Sequence, residues 1–219
     1  MIKAVIFDCD GTVYDVKAVY MGEITGLRRV FKELEIKAGI PNKEDIMSRV
    51  GKPKPDFFRG LIPEKYFRQA CLLAYKYTEE DSEGLVKAKK GTLYAGTIKT
   101  LKQLKKKGIK LGLVTNGGKG YIRAVAGTYS LQNVFDVILS VEEIRGDKGD
   151  LVKAALKKLK AKPGEALMVG DRKSDIGAAR KVGCKAVAVT YGYGKRGELE
   201  GADFVIHDLK ELVEIAENA

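Results

Sequence analysis

The feature that most constrains the fold is a regular alternation of short apolar segments with amphipathic helical patterns. Six β-branched, apolar segments occur, at residues 2–7, 110–115, 134–139, 166–169, 186–190 and 204–206. Helical patterns lie between most of them, as where Ile98, Leu101 and Leu104 recur at helical spacing. Strand alternating with helix predicts an α/β fold: a doubly wound, Rossmann-like parallel sheet whose strands are buried on both faces.

One interval breaks this alternation. Between the first segment and residue 110 the sequence contains several helical patterns, for example Ile24, Leu27 and Phe31, and no convincing strand. We therefore expect an inserted helical cap domain of residues 15–85. The α/β core domain would then comprise residues 1–14 and 86–219, with hinges near residues 14–16 and 82–86.

Composition limits the classes of protein that the chain can represent. No apolar run approaches the roughly 18 residues of a membrane span, and the opening apolar stretch is too short for a signal peptide. The three cysteines are widely spaced and odd in number, so neither a disulfide framework nor a zinc site is indicated. We expect a soluble, cytoplasmic protein without a membrane partner.

The net charge of +11 favours anionic ligands in general, because 40 Lys and Arg residues outnumber 29 Asp and Glu residues. The lysines are scattered in short runs on amphipathic patterns, as at residues 105–107 and 157–160. That distribution is typical of solvated helix faces rather than of a nucleic-acid-binding surface. We expect no nucleic-acid partner.

Two aspartates follow directly after the first apolar segment. The run Asp8-Cys9-Asp10-Gly11-Thr12 lies beyond the carboxyl end of a strand, where open parallel sheets bind their ligands. Asp8 and Asp10 can point the same way, and Gly11 allows backbone N–H groups to approach a phosphate. A bound divalent cation would relieve the repulsion between the carboxylates. The alternative is an ordinary Asp-Gly turn.

Two later strand ends also carry polar side chains. The second segment leads into Thr115 and Asn116, whose hydroxyl and amide groups suit phosphoryl oxygens. The fourth leads into Asp171 and Asp175, a pair of carboxylates of the kind that Mg²⁺ prefers. Taken separately, these are a polar loop and a helix cap with an acidic first turn.

A lysine lies at an unfavourable place for a cation. Lys148 is near the start of a helix predicted over residues 149–160, where the helix dipole disfavours positive charge. A bound phosphate would explain its position. Compensation on the surface by Asp147 and Asp150 is the alternative.

Together these strand-end signals resemble the haloacid dehalogenase superfamily in order, spacing and context, over nearly the whole chain. The run from Asp8 to Thr12 is similar to the Asp-x-Asp-Gly-Thr signature of that superfamily. Thr115 matches its second motif, Lys148 its third, and Asp171 with Asp175 its fourth. The inserted segment resembles the helical cap of the phosphoglycolate phosphatase-like subgroup.

The resemblance implies a Mg²⁺-dependent phosphohydrolase that cleaves small phosphate monoesters. Asp8 would be the nucleophile, forming a phosphoaspartate, and its carboxylate would also bind the metal. Asp10 would protonate the leaving alkoxide and then activate water, and its backbone carbonyl is a metal ligand in relatives. Because the third-motif lysine is often followed by proline, Gly149 is a departure from the family pattern that bears on Lys148 alone.

The remaining motif positions would bind the transferring phosphoryl group and complete the metal site. Thr115, the backbone N–H of Asn116 and Lys148 would hold the phosphoryl oxygens. Asp171 would bind Mg²⁺ directly or through water. Asp175 would join the metal site or orient Lys148.

Three basic residues of the cap are expected to contact the substrate, a small phosphorylated metabolite. They are Arg49, Lys52 and Lys54. Phosphoglycolate, sugar phosphates and nucleoside monophosphates all remain open as substrates, and the sequence does not decide between a monomer and a homodimer.

Four alternatives to a phosphatase are compatible with parts of the pattern. A phosphosugar mutase has the same first motif and cap type. A dehalogenase usually lacks an acid at the position of Asp10, because halide leaves without a proton. A phosphonate hydrolase could use Lys54 as a Schiff-base lysine. A non-catalytic anion- or nucleic-acid-binding protein would use the positive charge alone.

Overall fold

The core of the protein is a six-stranded parallel sheet. The computed structural model describes residues 1–16, 18–144 and 146–219. The sheet strands are β1 (Ala4–Asp8), β4 (Lys110–Thr115), β5 (Val137–Ser140), β6 (Ala166–Gly170), β7 (Lys185–Val189) and β8 (Phe204–Ile206). Their order is β5-β4-β1-β6-β7-β8, with every neighbouring pair parallel. The predicted doubly wound α/β fold is confirmed.

Helices cover both faces of this sheet. The core helices are α5 (Thr97–Lys106), α6 (Lys119–Thr128), α7 (Lys148–Leu159), α8 (Lys173–Val182) and α9 (Leu212–Asn218). In β1, Val5 and Phe7 belong to the apolar cluster with α5, α6 and α9, whereas Ala4 and Ile6 belong to the cluster with α7 and α8. The central strand is therefore buried on both faces, as its continuous apolar sequence predicts.

The third predicted strand, residues 134–139, begins too early. A short 3-10 turn occupies Leu131–Asn133, and β5 starts only at Val137. Asp136 exchanges two hydrogen bonds with Leu111, because its backbone N–H donates to the Leu111 carbonyl and its side chain accepts from the Leu111 N–H. Apolar content alone did not distinguish this bend from a strand.

The interval between β1 and β4 contains a helical cap, as its patterns indicate. Its helices are α1 (Tyr20–Glu33), α2 (Lys43–Met47), α3 (Lys54–Phe58) and α4 (Glu64–Lys87). They share an apolar cluster of their own that includes Leu27, Ile46 and Phe58. No helix in the described ranges of the chain is both long and apolar enough to cross a membrane.

Two short strands, which the sequence did not predict, lie at the base of the cap. β2 (Tyr14–Asp15) and β3 (Thr92–Leu93) pair antiparallel, so the two chain crossings between core and cap run side by side. The second hinge expected, at residues 82–86, lies inside α4, which continues to Lys87. The crossing back to the core therefore follows the end of that helix.

The cap depends on a close approach between α1 and α4 at two glycines. An ideal Cβ on Gly22 would lie 2.5 Å from the backbone nitrogen of Ser82, and one on Gly26 would lie 2.6 Å from that of Thr78. These are shorter than a van der Waals contact, so only glycine fits unless the helices separate.

We expect Gly26→Ala to destabilise the protein by about 1–3 kcal/mol, because the added methyl group meets α4 backbone in a packed interface. The matched control is Gly84→Ala in α4, where an ideal Cβ meets no atom within 4 Å. There the higher helix propensity of alanine should stabilise by about 0.5–1 kcal/mol. Thermal and denaturant unfolding of both variants measure the two signs. Stabilisation by Gly26→Ala would show that the helices are not in close contact.

Candidate active site

The polar motif residues meet at one edge of the sheet. β1 lies between β4 and β6, so the carboxyl ends of these three strands are neighbours. Asp8 is the last residue of β1, Thr115 is the last residue of β4, and Asp171 directly follows β6. The sequence places these side chains far apart, and the strand order brings them together.

A buried lysine joins two of the carboxylates. The Nζ atom of Lys148 lies 2.7 Å from Asp8 Oδ1 and 2.5 Å from Asp175 Oδ1, and all three side chains are at most 5% exposed. Burial alone would lower the pKa of Lys148, but the charges of Asp175 and Asp8 raise it above its ordinary value. Lys148 is therefore a fixed ammonium group inside the site.

The surface alternative for Lys148 is wrong. Asp147 caps α7 by accepting from the backbone N–H groups of Gly149 and Asp150. The carboxylates of Asp147 and Asp150 both pair with Lys181, at 2.9 and 3.0 Å. Neither compensates Lys148, which points inward instead.

Three buried carboxylates form a candidate metal site. Asp8, Asp171 and Asp175 each offer an oxygen, and these oxygens lie within 4.8 Å of one another. Asp8 Oδ2 and Asp171 Oδ1 are buried without a hydrogen-bond partner in the described residues. Hard oxygen donors around a net negative charge fit Mg²⁺. Asp8 and Asp171 would hold it through these open oxygens.

Asp175 is engaged by protein groups on both of its oxygens. Oδ1 pairs with Lys148, and Oδ2 accepts the backbone N–H of Arg172 at 2.9 Å. These contacts favour the second of the two roles expected for Asp175, the orientation of Lys148, and both roles stay predictions.

The close packing of these buried carboxyl groups raises the pKa values of Asp8 and Asp171. Burial, followed by the neighbouring carboxylates, raises the pKa of Asp8 well above its ordinary value despite the opposing effect of Lys148. Burial and Asp175 raise the pKa of Asp171 to about 6. A divalent cation would favour the ionised forms of both groups.

The loop after β7 fixes Asp171. Asp171 Oδ2 accepts backbone N–H groups from Tyr193 at 2.7 Å and Gly194 at 3.1 Å. Gly11, with φ of +85°, approaches from the other side, where a Cβ would lie 2.4 Å from the same oxygen. No motif in the sequence pointed to the loop after β7. The loop follows β7, the neighbour of β6 in the sheet, and this position could have indicated a contact with Asp171.

Asp10 faces a tyrosine that the sequence did not indicate. The Tyr121 hydroxyl donates to Asp10 Oδ1 at 2.8 Å. Burial raises the pKa of Asp10 to about 6, while the hydrogen bond from Tyr121 opposes that rise. A carboxyl group with a pKa near 6 can both give and take a proton close to neutral pH.

A cavity lies between this edge of the sheet and the cap. Asp8, Asp10, Thr115 and Asn116 line its core side. Thr115 Oγ1 accepts the backbone N–H of Gly117 at 2.9 Å, which orients the hydroxyl group. The Asn116 side chain donates to the carbonyl of Gly51 at 2.8 Å and so contacts the cap.

The three basic cap residues have different positions. Lys52 and Lys54 line the cavity, and Lys54 pairs with Glu23 at 2.9 Å and Glu79 at 3.5 Å. Arg49 does not line the cavity. Its guanidinium group donates to the carbonyl of Arg59 at 2.7 Å, and its contact with substrate stays a prediction.

The fold and the site define an α/β protein with a helical cap over a carboxylate-rich strand edge. The family model of haloacid dehalogenase-like hydrolases matches residues 5–189. The chain therefore belongs to the haloacid dehalogenase-like hydrolase family, which confirms the resemblance seen in the sequence and makes the protein a hydrolase.

Individual relatives are similar over nearly their whole length. Pyrophosphatase PpaX from Bacillus cereus (strain B4264) is 27% identical over 221 residues, covering 99% of this chain and 97% of the relative. The crystal structure of a predicted phosphatase from Clostridium acetobutylicum has a TM-score of 0.82 at 23% identity and covers 100% of both chains. CbbY from Rhodobacter sphaeroides, in complex with phosphate, has a TM-score of 0.79 at 19% identity, covering 97% of this chain and 96% of that chain.

We expect Lys148→Ala to lower the free energy of unfolding of the metal-free protein by about 3–5 kcal/mol, because Asp8 and Asp175 would stay buried without a cation. Lys181→Ala is the matched control, since Lys181 also pairs with two aspartates but is 48% exposed. Its loss should change stability little, because surface ion pairs are weak. Denaturant unfolding at neutral pH compares the two. Equal effects would show that the Lys148 pairs are not desolvated.

Proposed function

We propose that the protein is a Mg²⁺-dependent phosphohydrolase that cleaves small phosphate monoesters through a phosphoaspartate on Asp8. The observation that carries this proposal is the environment of the Asp8 carboxylate. One oxygen is held by Lys148, and the other has no hydrogen-bond partner among the described residues. Asp8, Asp171 and Asp175 each offer an oxygen within 4.8 Å of the others, and Asp8 and Asp10 line one cavity.

In the first half-reaction Asp8 attacks phosphorus, and the bond from phosphorus to the ester oxygen breaks. Asp10 donates its proton to the departing alkoxide, so that a neutral alcohol leaves. In the second, a water molecule attacks the phosphoaspartate and Asp10 takes its proton. The bond between phosphorus and the Asp8 oxygen breaks, inorganic phosphate leaves, and Asp8 returns to its carboxylate form.

The remaining site residues position the phosphoryl group. Three donors lie around the carboxyl end of β1: the Thr115 hydroxyl, the backbone N–H of Asn116 and the Lys148 ammonium group. They can donate to the phosphoryl oxygens, where negative charge develops during transfer. Mg²⁺ held by Asp8 and Asp171 would supply charge neutralisation to the phosphoryl group. The cap covers the cavity, and its closure would limit entry of water during transfer.

Two relatives support this chemistry, a pyrophosphatase and a predicted phosphatase. The phosphate in the CbbY structure is consistent with phosphoryl binding in this fold. Phosphoglycolate phosphatase-like organisation, with a helical cap, is part of the proposal. Activity in the cytoplasm stays a prediction.

A phosphonate hydrolase mechanism is disfavoured by the state of Lys54. A Schiff base needs a neutral amine. Burial alone would lower the pKa of Lys54, but the charges of Glu23 and Glu79 raise it above its ordinary value. The protonated amine is held between two carboxylates. No observation favours the phosphosugar mutase, and Asp10 disfavours the dehalogenase.

The test is phosphate release from a panel of phosphate monoesters, with Mg²⁺ or with EDTA. We expect Asp8→Asn and EDTA each to abolish turnover, because the first removes the nucleophile and the second the metal. Asp56→Asn, at an exposed cap position, is the control and should keep activity. Phosphate release that survives Asp8→Asn would rule out the covalent mechanism.

We expect Tyr121→Phe to move the alkaline limb of kcat/KM to higher pH. The Tyr121 hydroxyl stabilises ionised Asp10, so its removal raises the pKa of Asp10 above its value of about 6. The protonated form that the first half-reaction needs then persists to higher pH. Tyr66→Phe, whose hydroxyl is not part of the cavity lining, should leave the profile unchanged. An unshifted or acid-shifted limb for Tyr121→Phe would show that Asp10 is not the titrating acid.

A further inference from the structure

The cap side of the cavity has a polar composition of its own. Glu23 from α1, Lys54 from the start of α3, and Glu79 and Ser82 from α4 line it together. These residues lie opposite the strand edge that would hold the phosphoryl group. They are therefore in position to surround the alcohol part of a bound ester.

Lys54 is not available to bind an anionic substrate tail. Its ammonium group lies 2.9 Å from Glu23 Oε1 and 3.5 Å from Glu79 Oε1, and the three side chains are 13%, 15% and 16% exposed. The ring centroids of Phe57 and Phe58 lie 4.8 and 5.4 Å from the Lys54 Nζ atom, and the two rings cover it further. Two carboxylates against one ammonium leave this group of residues with a net negative charge.

The hydrogen bonds of the two glutamates leave one oxygen free. Glu23 Oε1 and Glu79 Oε1 are used by Lys54, and Glu79 Oε2 accepts the backbone N–H of Gly118 at 3.0 Å. Glu23 Oε2 is buried and has no donor among the described residues. A buried carboxylate oxygen without a donor is costly, so a donor from a bound ligand would be favourable.

Ser82 gives an independent indication at the same place. Ser82 is only 2% exposed and lines the cavity. Its hydroxyl group has no hydrogen-bond partner in the described residues. A hydroxyl group can donate and accept, so it matches a ligand hydroxyl in either role. Glu23 and Ser82 thus each have a polar atom without a partner in the described residues, and both residues line the same cavity.

We propose that this cap pocket of Glu23, Lys54, Glu79 and Ser82 binds leaving groups that carry hydrogen-bond donors, hydroxyl or ammonium, and rejects leaving groups that end in a carboxylate or phosphate. The proposal rests on the proposed phosphohydrolase function. A second anionic group would be buried against Glu23, where like charges repel in a poorly solvated place. Lys52 lies exposed at the rim, where water and salt screen its charge.

The test uses three phosphate monoesters of similar size that differ at the end of the alcohol. They are 2-hydroxyethyl phosphate, 2-aminoethyl phosphate and phosphoglycolate, which end in a hydroxyl, an ammonium and a carboxylate group. We expect kcat/KM for at least one donor ester to exceed that for phosphoglycolate by about tenfold or more. A preference for the ammonium ester would identify charge as the main selector, and a preference for the hydroxyl ester would identify hydrogen bonding.

The variant that tests the residue is Glu23→Gln, which keeps the size of the side chain and removes its charge. We expect the ratio of kcat/KM between the preferred donor ester and phosphoglycolate to fall toward one. Glu80→Gln on α4 is the matched control, since Glu80 is 48% exposed and pairs with Arg29 outside the cavity. For Glu80→Gln, the ratio of kcat/KM between the donor ester and phosphoglycolate should equal that of the parent protein. The parent ratio alone decides the proposal if Glu23→Gln does not fold.

The outcomes separate this proposal from the proposed function. Phosphoglycolate cleaved as well as or better than both donor esters overturns the cap-pocket proposal and leaves the phosphohydrolase proposal standing. The same holds if the broader ester panel is cleaved but neither donor ester is. Failure to release phosphate from any ester in the presence of Mg²⁺ overturns the proposed function itself.

Discussion

The ion pairs of Lys148 with Asp8 and Asp175 are the interaction on which the site depends. They join the end of β1 to the starts of α7 and α8, three elements from distant parts of the chain. A buried ammonium group is stable only with such partners, and a buried carboxylate likewise. One lysine does not balance Asp8, Asp171 and Asp175, so the same geometry that stabilises the site leaves the negative charge that a divalent cation would neutralise.

The loop after β7 connects this charged centre to the base of the cap. Backbone N–H groups of Tyr193 and Gly194 hold Asp171, while the Tyr193 hydroxyl donates to Asp15 at 2.6 Å and accepts the N–H of Val16 at 2.7 Å. Asp15 and Val16 lie on the first crossing from core to cap. Tyr193 therefore contacts both Asp171 and the first crossing to the cap, and it links the base of the cap to the acidic site.

Sequence patterns found the residues on strand ends and, at the starts of α7 and α8, Lys148 and Asp175, but they missed Tyr121 and Glu23. Asp8, Thr115 and Asp171 could be predicted because parallel strands bring their carboxyl ends to one edge, whatever the details of packing. Tyr121 and Glu23 reach the cavity from helices, where the rotation of the helix decides whether a side chain faces a ligand, core or solvent. No local pattern specifies that rotation relative to a separate domain.

Lys54 shows why charge read along a sequence differs from charge in a site. In the sequence it is one of three basic cap residues that are expected to contact the phosphorylated substrate. In the fold, Glu23 and Glu79 enclose it and reverse the sign of its surroundings. A net positive chain can attract a phosphate ester over long distances. Over a few ångströms, the buried partners of each charged group decide which end of that ester is accepted.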